Sequence, residues 1–154
     1  MFSSEDIEAV RSSFAAALER EPELILLFYE RLFRANPHLR SLFPRTMKDQ
    51  AHKLHLTLDI AMAGLRKPQA LESPLRAHGR RHAAMGVRSP DYQLVETVLV
   101  EVLAELAGPD WTPAAAAGWD RLLGFVSATM IAGATEERAR PAFPGVPQPM
   151  RPAG

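Results

Sequence analysis

The sequence predicts an all-α fold, and two observations carry that prediction. Apolar residues recur at helical spacing over several long stretches, and no stretch alternates convincingly as a strand would. Eight of the thirteen prolines fall where a helical pattern starts or stops, as expected of a residue that lacks an N–H and has a fixed φ. The 154 residues suffice for one domain with a proper core. The eight are Pro22, Pro37, Pro44, Pro68, Pro74, Pro90, Pro109 and Pro113.

Composition excludes several classes of function. The formal net charge is zero, and lysine and arginine look scattered along the chain, so neither a nucleic-acid surface nor a polybasic membrane contact is indicated. The absence of cysteine excludes disulfides, iron–sulfur clusters and thiol catalysis. No apolar run approaches the roughly 20 residues that span a bilayer. The start of the chain lacks a secretion signal, so we expect a cytoplasmic protein.

The first two predicted helices place a tyrosine in the core. The first runs from about Ser4 to Arg20, with Ser3 as a plausible N-cap. The second begins at Pro22 and carries Tyr29 on its buried stripe. A buried hydroxyl needs a hydrogen-bond partner. Tyr29 is therefore either a core tyrosine bonded to a backbone carbonyl or a residue that faces a ligand.

The next predicted elements bring a polar amide inward. A short helical turn, Pro37–Phe43, precedes a long helix from about Met47 to Leu65. The two histidines of that helix, His52 and His55, lie opposite its apolar stripe and are predicted to face solvent. One member of the stripe is an amide. The stripe comprises Met47, Gln50, Leu54, Leu58, Ala61 and Leu65.

A histidine-bearing helix follows, opened by Ser73 and Pro74. A glycine inside this helix costs about 1 kcal/mol relative to alanine, which makes sense where something approaches the backbone closely. Arg76 and Arg80 point away from its apolar side. His82 on that side fits a core or surface histidine when it is considered alone. The residues sharing the side are Leu75, His78, Gly79, His82 and Met85.

Two core helices complete the predicted domain. One runs over Pro90–Ala107, and the other begins at Thr112 and Pro113 and ends near Arg138. From Arg140 the chain holds five prolines in fifteen residues, which predicts an extended or disordered tail. The tail is either simply solvated or a docking ligand. We therefore expect one domain over residues 1–139 and a proline-rich tail over 140–154.

Four segments together carry a resemblance to a known family. They are Phe28–Phe33, then Asn36–Pro44, then Gln50 with Lys53 and Leu54, and finally Gly79–His82 continuing to Tyr92. Their residues and relative spacing make the sequence similar to the globins, specifically the bacterial single-domain type related to the haem domain of flavohaemoglobins. The resemblance spans roughly residues 3–138. It implies a 3-over-3 globin fold of six to seven helices around a b-type haem.

The resemblance also implies roles for particular residues. His82 would bind the haem iron through Nε2, and Phe43 would wedge the porphyrin. Lys53 and Arg81 would reach the propionates, although a solvated cation is the ordinary interpretation of each. The remaining pocket residues are Tyr29, Gln50 and Leu54 over the distal face, and Val87, Tyr92 and Val95.

Two departures from the flavohaemoglobin pattern qualify the expected chemistry. Tyr92 matches the tyrosine that tunes the proximal histidine, but the partner glutamate position falls near Ala134. Glu136 and Glu137 lie close and are expected to point elsewhere, which argues against peroxidase-like or strong nitric-oxide-dioxygenase chemistry. No flavin or nicotinamide segment follows the domain, so turnover is expected to need an external reductase.

Four functions remain open at this point. The first is reversible binding of O₂, together with NO and CO. The second is an NO dioxygenase served by a separate reductase. The third is a gas sensor acting through a partner protein, and the fourth is an all-α interaction module without a cofactor.

Overall fold

Residues 2–139 are described by a computed structural model, and helices form almost all of this range. No β-strand occurs within it, which confirms the predicted all-α class. Within the same range no helix combines the length and the apolar character that crossing a bilayer would require. Three 3₁₀ turns occupy Pro37–Leu42, Gly64–Arg66 and Gly108–Asp110. The six α-helices are α1 Ser4–Arg20, α2 Leu24–Ala35, α3 Met47–Ala63, α4 Gln69–Ala84, α5 Ser89–Ala107 and α6 Pro113–Ala139.

Side-chain caps explain where several helices begin. The Ser3 hydroxyl accepts a hydrogen bond from the Asp6 backbone N–H at 3.0 Å, and the Asp6 carboxylate accepts from the Ser3 N–H at 3.1 Å. This reciprocal pair is a capping box, and it satisfies two N–H groups that the helix cannot. The Thr112 hydroxyl likewise accepts from the Ala115 N–H at 3.1 Å at the start of α6.

Two predicted helix starts are wrong. The second helix begins at Leu24 instead of Pro22, because Pro22 and Glu23 form a turn. The fourth begins at Gln69, so Pro74 lies inside it as its sixth residue. The proline removes a single backbone hydrogen bond in the first turns, and the longer helix buries Leu71. Burial of one leucine is worth roughly 1.5–3 kcal/mol, which compensates for the lost bond.

The main core lies between α1, α2, α3, α5 and α6. Its largest fully buried side chain is Trp119. The indole N–H donates to the Ser13 hydroxyl at 2.9 Å, and that hydroxyl donates to the Val10 carbonyl at 2.9 Å. The buried polar atoms of this part of the core are therefore all paired, which avoids the cost of an unsatisfied donor.

Helix α4 packs backbone to backbone against α6. A Cβ built on Gly79 would lie 1.9 Å from the Met130 carbonyl oxygen, and one built on Gly133 would lie 2.2 Å from the Arg76 carbonyl oxygen. The expected close approach at Gly79 is thus an approach of another helix. Although α3 and α4 are consecutive in the chain, they barely contact each other. The helix that carries His82 therefore packs against α6 and hardly against α3.

Candidate functional site

A hydroxyl and an amide meet on the side formed by α2 and α3. Tyr29 is 4% exposed, and the Gln50 side-chain N–H donates to its hydroxyl oxygen at 3.3 Å. The partner of Tyr29 is thus a side chain instead of a backbone carbonyl. Burial raises the pKa of Tyr29, so the phenol is protonated at neutral pH. Because its oxygen accepts from Gln50, its own O–H is available to donate to a third group.

Three aromatic rings pack around this pair. The Phe43 ring centroid lies 5.4 Å from that of Tyr29 and 5.2 Å from that of Phe33, both edge to face. Tyr29 and Phe33 stack at 5.9 Å. Such pairs contribute about 0.5–1.5 kcal/mol beyond their burial. Phe43 is therefore held rigidly although it is only half-buried.

Arg40 holds the corner that carries Phe43, a role that sequence reasoning missed. Its guanidinium donates to the carbonyl oxygens of Phe43 at 3.2 Å, Pro44 at 2.9 Å and Arg45 at 3.0 Å. It also lies 5.2 Å from the centre of the Phe33 ring, within range of a cation–π contact. No motif signals such a contact, because the three acceptors are backbone atoms.

A second pair lies at the end of α4. The Nδ1 atom of His82 is 3.3 Å from the hydroxyl oxygen of Tyr92. Burial, followed by the charges of His78 and Arg81, lowers the pKa of His82 to about 4. The imidazole is therefore neutral at pH 7, the form that binds metals. Nε2 has no hydrogen-bond partner among the described residues, so it is the nitrogen left for a ligand.

His78 packs directly against His82, and sequence reasoning gave it no role. The two ring centroids are 4.3 Å apart. The Nη2 atom of Arg81 lies 2.9 Å from Nδ1 of His78, and a guanidinium can only donate. Nδ1 of His78 therefore accepts. Burial and then the charge of Arg81 lower the pKa of His78, so this second imidazole is also neutral at pH 7.

The two pairs adjoin at the corner after α2. Leu42, the neighbour of Phe43, lies 3.5 Å from the position of a Cβ on Gly86, four residues after His82. Gly86 has φ +98°, a conformation that favours glycine. Nε2 of His38 lies 4.0 Å from the Asp91 carboxylate. The Tyr29 side and the His82 side are thus joined at one edge, while α3 and α4 barely touch.

The other candidates occupy the borders of this region. Leu54, Val87 and Val95 are half-buried, whereas Lys53 and Arg81 are exposed. Met85, predicted to share the side of α4 that carries His82, is 57% exposed. It is the C-cap residue of α4.

The two histidines of α3 were predicted to face solvent. His52 is exposed as predicted, but His55 is half-buried, with its ring 5.7 Å from Phe14. The prediction for His55 is met only in part: 37% of its side chain is exposed beside Asp59, and Phe14 of α1 packs against the ring. Among the described residues no group of three side chains is arranged to hold a bare metal ion.

The resemblance puts the proximal glutamate near Ala134. Ala134 is buried, and the neighbouring Glu136 pairs with Arg76. The Glu137 side chain and the tail over 140–154 lie outside the described part of the chain.

Comparisons with known proteins agree with this arrangement. Residues 26–130 match the family model described as Globin. The chain is 28% identical over 114 residues, or 71% of its length, to a flavohemoprotein of Bacillus thuringiensis. It is 24% identical over 140 residues, or 89% of its length, to a flavohemoprotein of Rhizobium meliloti. The chain spans only 28% and 34% of the length of these two relatives.

Solved structures share the fold. An engineered carbene transferase, built on a Rhodothermus marinus protein named as a nitric oxide dioxygenase, superposes with a TM-score of 0.76 at 27% identity. It covers 90% of this chain and 97% of its own. A bacterial globin from Campylobacter jejuni gives a TM-score of 0.76 at 17% identity, over 90% and 100% of the two chains. With a family match over more than half of its length, this chain belongs to the globin family.

Proposed function

We propose that this chain holds haem b without a covalent bond and binds O₂ reversibly, with NO and CO as further ligands. The observation that carries the proposal is a neutral imidazole at His82 whose Nε2 is unengaged, together with the hydroxyl–amide pair of Tyr29 and Gln50. Tyr29 and Gln50 lie on α2 and α3, and His82 lies on α4. These two sides adjoin at the corner between Leu42 and Gly86, while α3 and α4 barely touch.

The chemistry of these residues fits a haem. His82 supplies the iron ligand, and the half-buried side chains of Phe43, Leu54, Val87 and Val95 supply apolar contact. Two exposed cations of the same helices, Lys53 and Arg81, would pair with the propionate carboxylates. Haem would supply the iron that takes up a diatomic gas.

Protein side chains would set the affinity for that gas. The Tyr29 O–H and the second N–H of Gln50 are both available as donors. A hydrogen bond to a partly charged acceptor is worth about 1.5–3 kcal/mol, or roughly 10- to 100-fold in affinity. O₂ gains more than CO, since its outer atom carries more negative charge.

Tyr92 would orient the ligand histidine. When Nε2 is free to bind iron, Nδ1 of His82 carries the proton and donates to the Tyr92 hydroxyl. This bond fixes the tautomer and the ring orientation. Burial raises the pKa of Tyr92, so the phenol stays neutral and the pair involves no ion.

Hemin titration of the purified protein tests the proposal. We expect a red protein with a strong Soret band and stoichiometric uptake, with His82→Ala losing the normal spectra of the ferric, ferrous and CO forms. His52→Ala, which removes an exposed histidine from α3, is the matched control and should behave as wild type. A wild-type protein that stays colourless with hemin refutes the proposal. Unchanged spectra in His82→Ala refute the assignment of the ligand.

An NO dioxygenase is the second candidate, favoured by the 27% identity to the Rhodothermus marinus protein of that name. In this reaction ferrous haem, O₂ and NO give nitrate and ferric haem, and one electron per turnover must be returned. The single-turnover nitrate yield, followed by sustained turnover with a generic reductase, distinguishes it from simple O₂ binding. A yield well below one nitrate per haem contradicts it.

A further inference from the structure

Basic side chains concentrate in two segments although the whole chain is neutral. Residues 38–53 contain four lysines or arginines and one carboxylate, and residues 76–91 contain four arginines and one carboxylate. Each segment therefore carries a net charge of +3, which leaves −6 on the rest of the chain. These segments hold eight of the eighteen lysines and arginines, so the cations are more grouped than expected. The eight cations are Arg40, Arg45, Lys48, Lys53, Arg76, Arg80, Arg81 and Arg88.

The fold brings the two segments to one side of the molecule. Leu42 of the first segment contacts the Gly86 position of the second, and His38 lies 4.0 Å from Asp91. The first segment carries Phe43 and Gln50, and the second carries His82. The two segments therefore meet beside the candidate site, and we call the surface formed by residues 38–53 and 76–91 the basic face.

Most cations of the basic face have no carboxylate partner among the described residues. Within residues 2–136, Arg76 is the only one of the eight cations that forms a salt bridge, whereas arginines of α1, α2 and α6 pair with carboxylates. Of the two acids on the face, Asp91 is buried and caps α5 through the Arg88 N–H at 2.8 Å. Three exposed cations, Arg45, Lys48 and Arg88, also have no part in the proposed haem contacts, and Lys53 and Arg81 are exposed as well.

An exposed apolar side chain occurs within the second basic segment. Met85, 57% exposed, stands between Arg81 and Arg88 in the chain. Weak electron-transfer complexes bury little area, and charge complementarity steers their association. Exposed cations around one apolar side chain suit a partner of that kind.

We propose that the basic face is the docking surface for an acidic electron-donor protein that reduces the site. The proposal rests on the proposed haem, because the donor loses one electron and ferric iron gains it. The basic face adjoins the candidate site, so an electron would have a short path from a donor bound there to the iron. An acidic flavodoxin is a suitable probe, since it combines negative charge with a one-electron flavin donor.

Two charge-matched double variants test the docking surface. Arg45→Gln with Lys48→Gln removes two exposed cations of the basic face, and neither residue has a part in the proposed haem contacts. Arg66→Gln with Lys67→Gln removes two equally exposed cations outside both segments. The association rate of flavodoxin with the immobilised protein and the rate at which its hydroquinone reduces the ferric protein are measured from 10 to 300 mM salt.

We expect both rates to fall steeply with salt in wild type, because steering raises association rates 10- to 1,000-fold and is screened by salt. At low salt, the Arg45 and Lys48 variant should lose about three- to tenfold in both rates, and the Arg66 and Lys67 variant should lose little. Reduced riboflavin, which has no protein surface to dock, should reduce all three proteins alike.

Several outcomes would overturn the proposal. The first is an equal loss of rate in the two double variants, and the second is association that does not depend on salt. The third is a flavodoxin rate that is unchanged in the Arg45 and Lys48 variant while the same variant no longer sediments with phosphatidylserine vesicles. The last result would make the face a membrane contact. Failure of the haem proposal appears separately as a missing Soret band, and the association measurement then still decides whether an acidic protein docks here.

Discussion

Replacing Gly79 with alanine should weaken the protein through the contact between α4 and α6. The new Cβ would lie 1.9 Å from the Met130 carbonyl oxygen, where ordinary contact begins at 3.4 Å, so the helices must separate by about 1.5 Å. Overpacking costs about 1–3 kcal/mol, and a backbone oxygen cannot rotate away, so we take the upper end. Alanine returns about 1 kcal/mol of helix propensity. The net loss is about 2 kcal/mol.

Urea unfolding followed by circular dichroism measures this loss, with and without hemin. A net loss of about 2 kcal/mol should lower Tm by roughly 4–8 °C for a chain of this length. Gly124→Ala is the matched control, because it also lies in a packed helix but a Cβ there meets nothing within 4 Å. It should be neutral or stabilise the protein by up to about 1 kcal/mol. If Gly79→Ala unfolds at the wild-type urea midpoint or above, the close packing is refuted.

Three further perturbations test other parts of the molecule. Tyr29→Phe should speed O₂ dissociation about 10- to 100-fold by removing one donor, and an unchanged off-rate in stopped flow would contradict the distal role. Ser13→Ala should cost about 1–3 kcal/mol, because the Trp119 N–H loses its acceptor; the exposed Ser12→Ala is its control in urea titrations. Without haem, stability should fall from pH 6.5 towards pH 4, because the unfolded chain protonates His82 at 6.5 and burial holds the folded pKa at about 4. Above pH 6.5 the imidazole is neutral in both states and adds no slope, and an equal pH slope in His82→Leu would contradict this.

Local chemistry explains which helices could be predicted from the sequence. Ser3 and Thr112 mark helix starts by their own hydroxyls, so α1 and α6 begin where expected. Pro74 misled the prediction of α4, since a proline near a helix start is tolerated within the first turns as well as at the first position. Local signals cannot distinguish these two cases, because the burial of Leu71 that favours the longer helix depends on a distant element.

Parts of the site that depend on side-chain pattern could be predicted from the sequence. Parts that depend on contacts with backbone atoms or with another helix could not. Tyr29 lies in the core as predicted, and its periodicity alone placed it there. Arg40 was missed because its partners are carbonyl oxygens, which every sequence contains. The partial burial of the His55 ring could not be predicted from α3 alone, because it comes from Phe14 of α1. The roles assigned to His82, Tyr29 and Gln50 remain predictions that hemin and ligand measurements decide.

The paired glycines of α4 and α6 hold the helix that carries His82 through a contact in which α2 and α3 take no part. Gly79 and Gly133 each admit the backbone of the other helix, so a slide by one turn, about 5.4 Å, would bring bulkier residues into those contacts. Side chains of α2 and α3 take no part in this packing, so exchanging them, by evolution or by design, leaves it intact. Gas selectivity can thus change at Tyr29 and Gln50 while the helix that carries His82 keeps its position.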